Sequence, residues 1–196
     1  MGTQDEATPA VVVLADARAA SASGDPVPDV QSRDRGPDPH DVARRIVLRQ
    51  LAMAPRSRAE LAQKLAQRGC AADVAATVLD RMTRVGLVDD EAYAQMLVRS
   101  QQAARGLAKG ALARELRAKG IENHSADEAL ASISDEDERD RARALVGKKL
   151  RAMHGLGVEV QTRRLAGMLA RKGYSASVTY TVIREAIADA PEHLPD

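Results

Sequence analysis

The chain of 196 residues is long enough for one medium domain or a short repeat array, and a hydrophobic content of 44% allows a sizeable core. Because aromatic residues make up only 2%, that core must consist of Leu, Val, Ile, Ala and Met, a composition that favours helices. The single cysteine, Cys70, excludes an internal disulfide, and the net charge of +1 conceals a basic middle between two acidic ends.

Residues 1–38 are predicted to form a disordered acidic tail. This part of the chain is rich in Pro, Gly, Ser and Asp and has no sustained apolar period. Residues 1–40 carry 3 basic and 7 acidic side chains, a net charge of −4. The apolar run VVVLA at 11–15 is too short to cross a bilayer, and Asp5 and Glu6 precede it where a signal peptide would be basic. We therefore expect a soluble, cytoplasmic protein.

Helical patterning over residues 39–86 predicts a first set of three helices. The first of them presents one apolar face, formed by Ala43, Val47, Leu51 and Ala54. Ser57 and Glu60 predict a capping box at the start of the second helix, and Gly69 is the left-handed residue that ends it. Asp73 is predicted to cap the third helix.

A second set of three helices is predicted over residues 87–134. Asp89 or Asp90 is predicted to cap its long helix, and Gly106 and Gly110 are predicted to separate that helix from a short one. Ser125 is predicted to open the last helix of the set. The scheme of the first set is thus repeated.

A third set is predicted over residues 135–190. Ser134 caps its long helix, and the acidic run that follows lies at the positive end of that helix, where carboxylates are favourable. A short helix comes next, and Ser175 caps the last one. Two prolines predict that residues 191–196 are a frayed C-terminus.

The short middle helix of each set is written almost identically three times, as LAQKLAQRG, LARELRAKG and LAGMLARKG. Its final glycines, Gly69, Gly120 and Gly173, are 51 and 53 residues apart. A fixed period with matching apolar positions indicates a repeat protein. We therefore predict an all-α fold of three tandem three-helix repeats, each with one long and two short helices, forming an elongated, curved array.

Basic side chains make residues 41–172 a candidate binding region, with 25 basic and 17 acidic side chains and a net charge of +8. The second repeat supplies the main candidates, which are Arg105, Lys109, Arg114, Arg117 and Lys119. The third repeat adds Lys148, Lys149, Arg151, Arg163 and Arg164. The alternative is a solvated surface, with Arg68, Lys119 and Lys172 offsetting helix dipoles. Because aromatic stacking residues are scarce, nucleic-acid binding would run through phosphates and be salt-sensitive.

The sequence offers no catalytic constellation. The four histidines are scattered and lack metal-ligand spacing, and nothing in the sequence supplies a base for Cys70. HGLG at 154–157 lacks the strand and the GKS or GKT of a phosphate loop. We therefore expect no catalytic, cofactor or metal site, and a protein that is not an enzyme.

Two stretches carry a specific resemblance, GLVDDEAYAQMLVRSQ at 86–101 and ARGLAKGALARELRAKGI at 104–121. They resemble the RecX family of bacterial recombination regulators, and the similarity runs from about residue 41 to 188. The matching positions are Gly86, Leu87, Asp89, Asp90, Tyr93, Ala94, Arg99, Gly106, Leu112, Glu115, Leu116, Lys119, Gly120 and Ile121. The acidic tail has no counterpart in the family pattern, and Tyr93 and Tyr174 stand where Phe is common.

The resemblance implies a function as well as a fold. Proteins of this family bind RecA, lodge in the groove of its nucleoprotein filament, block filament extension, and inhibit ATP hydrolysis and strand exchange. They also touch DNA without sequence specificity. By this resemblance we expect a monomeric, non-enzymatic regulator of RecA in DNA repair and the SOS response, with no membrane partner.

Two other functions remain open. SRAELAQKLAQRG at 57–69 is similar to a helix-turn-helix segment, which would make the protein a DNA-binding transcription regulator. Recurrence of the pattern in all three repeats, and the lack of a strand wing, argue against that function. A passive helical scaffold would neither affect RecA nor bind single-stranded DNA.

Overall fold

The computed structural model describes residues 36–190, which form nine α-helices and no β-strand. The helices are α1 Pro39–Met53, α2 Arg58–Gln67, α3 Ala72–Arg84, α4 Asp90–Arg105, α5 Lys109–Ala118, α6 Asn123–Ala131, α7 Asp135–Arg151, α8 Val158–Lys172 and α9 Ala176–Ala188. The predicted all-α fold is confirmed, and α1–α3, α4–α6 and α7–α9 are called repeats 1, 2 and 3 below. The tail predicted over residues 1–38 and the C-terminus over 191–196 lie outside the described residues, apart from residues 36–38.

Each repeat encloses a core of its own. The long helix of every repeat contributes a fully buried alanine followed four residues later by a buried valine, and these pairs are Ala43–Val47, Ala94–Val98 and Ala142–Val146. The middle helix contributes two leucines four residues apart, Leu61–Leu65, Leu112–Leu116 and Leu165–Leu169, none of them more than 1% exposed. The spacing of four places both side chains on one helix face, and burying each contributes about 2 kcal/mol.

Several helices have a side-chain N-cap at the residue that the sequence predicts. Ser57 and Glu60 form the complete capping box at the start of α2. Asp89, and not Asp90, is the N-cap of α4, and its carboxylate accepts from the backbone N–H of Ala92. Ser134 and Ser175 cap α7 and α9 in the same way. Each cap satisfies a backbone N–H that has no partner inside its own helix.

Four local predictions are wrong. Asp73 lies inside the first turn of α3, whose N-cap is Ala71. Ser125 likewise lies inside α6, which begins two residues earlier. Gly110 is part of α5 and does not separate two helices. The middle helix of repeat 3 is not short, because α8 has 15 residues whereas α2 and α5 have 10 each.

Repeats 1 and 2 meet where the end of α5 contacts the start of α2. The Ser57 hydroxyl donates to the backbone oxygen of Lys119 over 2.6 Å. The backbone N–H of Arg58 donates to a carboxylate oxygen of Asp90 over 2.8 Å. A Cβ added to Gly120 would lie 2.3 Å from the Cβ of Ala59, so the two helices approach closely only because residue 120 is glycine.

Repeats 2 and 3 meet in the same way, one repeat further along the chain. The backbone N–H of Ala108 donates to the oxygen of Lys172 over 2.9 Å, and that of Lys109 donates to the Glu138 carboxylate over 2.8 Å. A Cβ on Gly173 would lie 2.3 Å from the backbone nitrogen of Ala111. At these two junctions the repeated glycine therefore ends a helix and also leaves room for the preceding repeat to pack closely against it.

Candidate partner-binding surface

The structure divides the predicted basic residues into two groups. Arg105, Lys109 and Lys119 form ion pairs with carboxylates of neighbouring elements. The other seven are exposed and make no side-chain hydrogen bond or ion pair within the described part of the chain. We call these seven the free cations, and they are Arg114, Arg117, Lys148, Lys149, Arg151, Arg163 and Arg164.

Lys119 holds two repeats together through Glu60. Its ammonium group lies 2.6 Å from one oxygen of the Glu60 carboxylate. The other oxygen accepts from the Tyr93 hydroxyl over 3.2 Å and from the backbone N–H of Ser57 over 3.2 Å. The Arg56 guanidinium lies 3.7 Å from the same carboxylate. One carboxylate of repeat 1 is therefore bound by two side chains of repeat 2.

This network perturbs the proton affinity of its members. Burial opposes ionisation of Glu60, but hydrogen bonds from Lys119 and Ser57 outweigh it and lower the pKa of its carboxyl group. The hydrogen bond to Glu60 raises the pKa of Lys119. Burial and the adjacent negative charge raise the pKa of Tyr93. All three groups keep the protonation states that the ion pair requires at neutral pH.

Lys109 and Arg105 also have structural partners. The ammonium group of Lys109 lies 2.7 Å from the Asp135 carboxylate in repeat 3, and this contact lowers the pKa of Asp135. The guanidinium of Arg105 lies 2.5 Å from Glu115 within repeat 2. Lys172 donates to the backbone oxygen of Arg105. These cations stabilise contacts within the protein, and charge alone does not distinguish them from residues that could bind a partner.

The free cations occupy three helices of repeats 2 and 3. Arg114 and Arg117 lie one turn apart on α5, and Arg163 and Arg164 lie in the second turn of α8. Lys148, Lys149 and Arg151 are in the last turn of α7, where they also offset the helix dipole. Within residues 36–190 none of these side chains forms an ion pair, so they present positive charge to solvent.

Comparison with known proteins gives one family for all three repeats. RecX patterns for a first, a second and a third three-helix domain match residues 43–82, 89–130 and 135–183. The chain belongs to the RecX family. Each of the three matches lies within one structural repeat.

Curated RecX proteins are similar over most of this chain. The protein named regulatory protein RecX from Streptomyces coelicolor is 47% identical over 162 residues, which cover 81% of this chain and 86% of the relative. A protein of the same name from Thermobifida fusca is 46% identical over 143 residues, covering 73% and 77%. One from Mycolicibacterium vanbaalenii is 44% identical over 178 residues, covering 87% and 94%. These relatives are named as regulators.

Solved RecX structures share the fold. The crystal structure of RecX from Lactobacillus salivarius superposes with a TM-score of 0.70 at 21% identity, covering 76% of this chain and 97% of that one. A second crystal structure, of a regulatory protein RecX, gives a TM-score of 0.68 at 26% identity and covers 76% and 72%. At 21% identity, the likeness to the first of these structures shows the fold alone.

Within residues 36–190, no group of three or more His, Cys, Asp or Glu side chains is arranged to hold a metal ion. In the same range no helix is long and apolar enough to span a bilayer.

Three junction residues were not recognised as such from the sequence, namely Glu60, Asp90 and Glu138. The sequence predicts only a place at a helix start for each of them, and Glu60 does complete a capping box. A signal was nevertheless available in α4 and α7, since Asp90 and Glu138 both stand four residues before the buried alanine of their long helix. In repeat 1 that position is Pro39, and within residues 36–190 no repeat precedes it.

Proposed function

We propose that this chain is a non-enzymatic regulator that binds RecA and its nucleoprotein filament. In this proposal it inhibits filament extension, ATP hydrolysis and strand exchange, and it acts as a monomer in the cytoplasm during DNA repair and the SOS response. Family membership and the name of its relatives, regulatory protein RecX, support a role in controlling RecA. The single observation that carries the binding part is the set of free cations on repeats 2 and 3.

The free cations suit a filament that contains nucleic acid. A strand inside a protein filament presents phosphates at regular intervals, and exposed Lys and Arg side chains without intramolecular partners bind them by displacing counterions. Such contacts are independent of base sequence. We therefore assign direct DNA contact to the free cations, and assign Arg105, Lys109 and Lys119 to the protein's own stability.

Within the free cations, Arg114 and Arg117 are the preferred contact residues. They lie on α5, in the central repeat, so a partner that covers them can also reach repeat 3. Their exposure and the lack of carboxylate partners leave both guanidinium groups available for bidentate hydrogen bonds to phosphate or carboxylate oxygens.

The proposal is tested by measuring RecA ATP hydrolysis on single-stranded DNA while purified protein is added. We expect inhibition at far less than one chain per RecA protomer, because one regulator in a filament affects many protomers. Unchanged hydrolysis at an equimolar ratio would contradict RecA regulation. A sequence-specific footprint on duplex DNA would instead support a transcription regulator.

A further inference from the structure

Helices α8 and α9 of repeat 3 border an apolar groove of about 780 Å³, called the α8–α9 groove below. Small and aliphatic side chains form most of its lining, and among the described residues that line it only Arg184 is charged. Tyr180 also lines the groove and has 67% of its surface exposed, whereas Tyr93 and Tyr174 are buried. An exposed aromatic residue beside a continuous apolar surface is typical of a binding site.

The corresponding space in repeat 1 is bridged by a long side chain. Arg58 stands eleven residues before Gly69, and Asp80 stands eleven residues after it. The Arg58 guanidinium lies 2.7 Å from the Asp80 carboxylate and 3.3 Å from the Thr83 hydroxyl. The Arg58 side chain therefore spans the space between α2 and α3.

Repeat 2 has a similar bridge. Lys109 stands eleven residues before Gly120, and its ammonium group lies 2.7 Å from the carboxylate of Asp135, which follows α6. In both repeats, a cation at the start of the middle helix reaches a carboxylate in the second half of the third helix or just beyond it. An internal ion pair thus crosses this space twice.

Repeat 3 lacks both halves of the bridge. Helices α3 and α9 each have 13 residues and begin three residues after their glycine, so their positions correspond without a gap. The residue eleven before Gly173 is Thr162, and the residue eleven after it is Arg184. Both line the groove. A short side chain therefore replaces the long cation, and a cation replaces the carboxylate of repeat 1.

The edge of the α8–α9 groove is positively charged as a result. Arg184 is exposed and forms no ion pair within residues 36–190. Its guanidinium carbon lies 5.6 Å from the centre of the Tyr180 ring, a cation–π contact that keeps the charge beside the apolar surface. A group that fills this groove and pairs with Arg184 must combine an apolar side chain with a carboxylate.

This combination is found in proteins and not in a nucleic-acid backbone. Phosphates would have to lose water against the aliphatic lining, which is unfavourable for a charged group. Aromatic and arginine side chains around an apolar centre are instead the residues that contribute most to protein–protein binding. The lining of the groove therefore favours a protein segment over a DNA strand.

We infer that the α8–α9 groove binds a protein segment that presents an apolar side chain beside a carboxylate, and that this segment belongs to the RecA subunits of the filament. The assignment of the segment to RecA rests on the proposed function. The apolar side chain takes the place that the Arg58 stem has in repeat 1, and the carboxylate pairs with Arg184. The free cations then bind the DNA, and the groove binds a protein subunit.

The inference is tested on the full chain, with RecA in the absence of DNA and with oligodeoxythymidine in the absence of RecA. A closing variant combines Thr162→Arg with Arg184→Asp and so rebuilds the bridge of repeat 1 across the groove. Arg184→Glu alone reverses the charge and leaves the groove open. The matched control is Arg81→Glu, which reverses an exposed cation of α3 that has no ion pair within the described residues.

We expect the closing variant and Arg184→Glu to bind RecA at least fivefold more weakly than the parent chain does. Arg81→Glu should bind RecA like the parent chain. The affinity of both groove variants for oligodeoxythymidine should change no more than that of Arg81→Glu. Circular dichroism should show unchanged helix content, and the Tm of the closing variant should not fall, because its new ion pair lies within one repeat.

Failure of this inference is distinguishable from failure of the proposed function. If the parent chain inhibits RecA and both groove variants bind RecA like Arg81→Glu, the groove does not bind RecA and the inference is wrong, while the proposed function stands. If the parent chain neither binds RecA nor inhibits its ATP hydrolysis, the proposed function fails and the inference fails with it.

Two other occupants would also overturn the inference. Weaker binding of oligodeoxythymidine by both groove variants, with RecA affinity retained, would assign the groove to DNA. A dimer of the parent chain in sedimentation that the closing variant abolishes, again with RecA affinity retained, would assign it to a second copy of the chain. Should the closing variant fail to fold, Tyr180→Ser shortens an exposed side chain of the groove and takes its place with the same expectation.

Discussion

At the scale of single residues, the three repeated glycines have one conformation and two different environments. Gly69, Gly120 and Gly173 all have φ between +70° and +87°, the left-handed region that favours glycine. An added Cβ on Gly120 or Gly173 would collide with the preceding repeat, but one on Gly69 would meet nothing within 4 Å. Within residues 36–190 no repeat precedes repeat 1, and Gly69 ends a helix without packing against another element.

Alanine substitutions separate the two roles. Gly69→Ala places an L-residue in the left-handed region and should lower the free energy of unfolding by about 1–2 kcal/mol. Gly173→Ala has this cost and also forces α5 away from the end of α8, for a total of about 2–5 kcal/mol. Chemical denaturation of both variants measures the difference. Equal losses would show that Gly173 does not pack against repeat 2 as closely as described.

Sequence reasoning found the left-handed glycines, most caps and the buried leucines because short-range rules determine them. Ser57 illustrates where it stops. Its capping box is visible from Glu60 three residues on, but its hydrogen bond to the Lys119 backbone joins residues 62 positions apart. Asp73 shows the opposite error, since this good cap residue lies two positions beyond Ala71, the N-cap of its helix. No local rule indicates which basic residues have partners in another repeat.

At the scale of helices, the starts of α2 and α5 contact the following repeat through equivalent hydrogen bonds. In both, a carboxylate from the first turn of the following long helix accepts from the first N–H of the middle helix. Such a carboxylate is favoured by the positive end of the helix dipole. The Glu60 network adds side-chain bonds at the first junction, and the second junction has Lys109 with Asp135 instead.

Glu60 should make stability depend on pH in the acidic range. Because its pKa is lower in the folded chain than in the unfolded one, its contribution is complete above the unfolded value of about 4.3 and is lost as the pH falls through the folded value. Glu60→Gln should cost about 1 kcal/mol at pH 7 and flatten the decline of Tm below pH 4.5. Glu128→Gln, an exposed carboxylate without a partner, is the control. An unchanged pH profile in Glu60→Gln would contradict the assigned role.

At the scale of the whole described chain, the third repeat differs from the other two where a fourth repeat would dock. Ala59 and Gly110 each stand ten residues before the repeated glycine of their own repeat, and each contacts the following repeat. The equivalent residue of repeat 3 is Arg163. Helix α8 also begins four residues earlier, relative to its glycine, than α2 and α5 do. A bulky cation and an additional helical turn thus replace the docking face of the other repeats, and Arg163 is exposed there.

Separating the two groups of cations changes how the partner surface must be tested. Reversing the charge of Lys119 together with Arg114 and Arg117 would break the Glu60 contact and confuse loss of binding with loss of structure. A clean variant reverses only the two free cations of α5. Arg81 and Arg84 provide a matched control, because they are exposed, have no ion pair within the described residues and have the same spacing on α3.

The most direct test of the central claim is inhibition of RecA ATP hydrolysis on single-stranded DNA by these two double variants. We propose that the free cations on repeats 2 and 3 bind the filament, whereas the paired cations Arg105, Lys109 and Lys119 stabilise the protein's own fold. Arg114→Glu with Arg117→Glu should raise the concentration for half-inhibition at least tenfold, with an unchanged Tm. Arg81→Glu with Arg84→Glu should inhibit like the parent chain. Equal inhibition by both double variants would contradict the account.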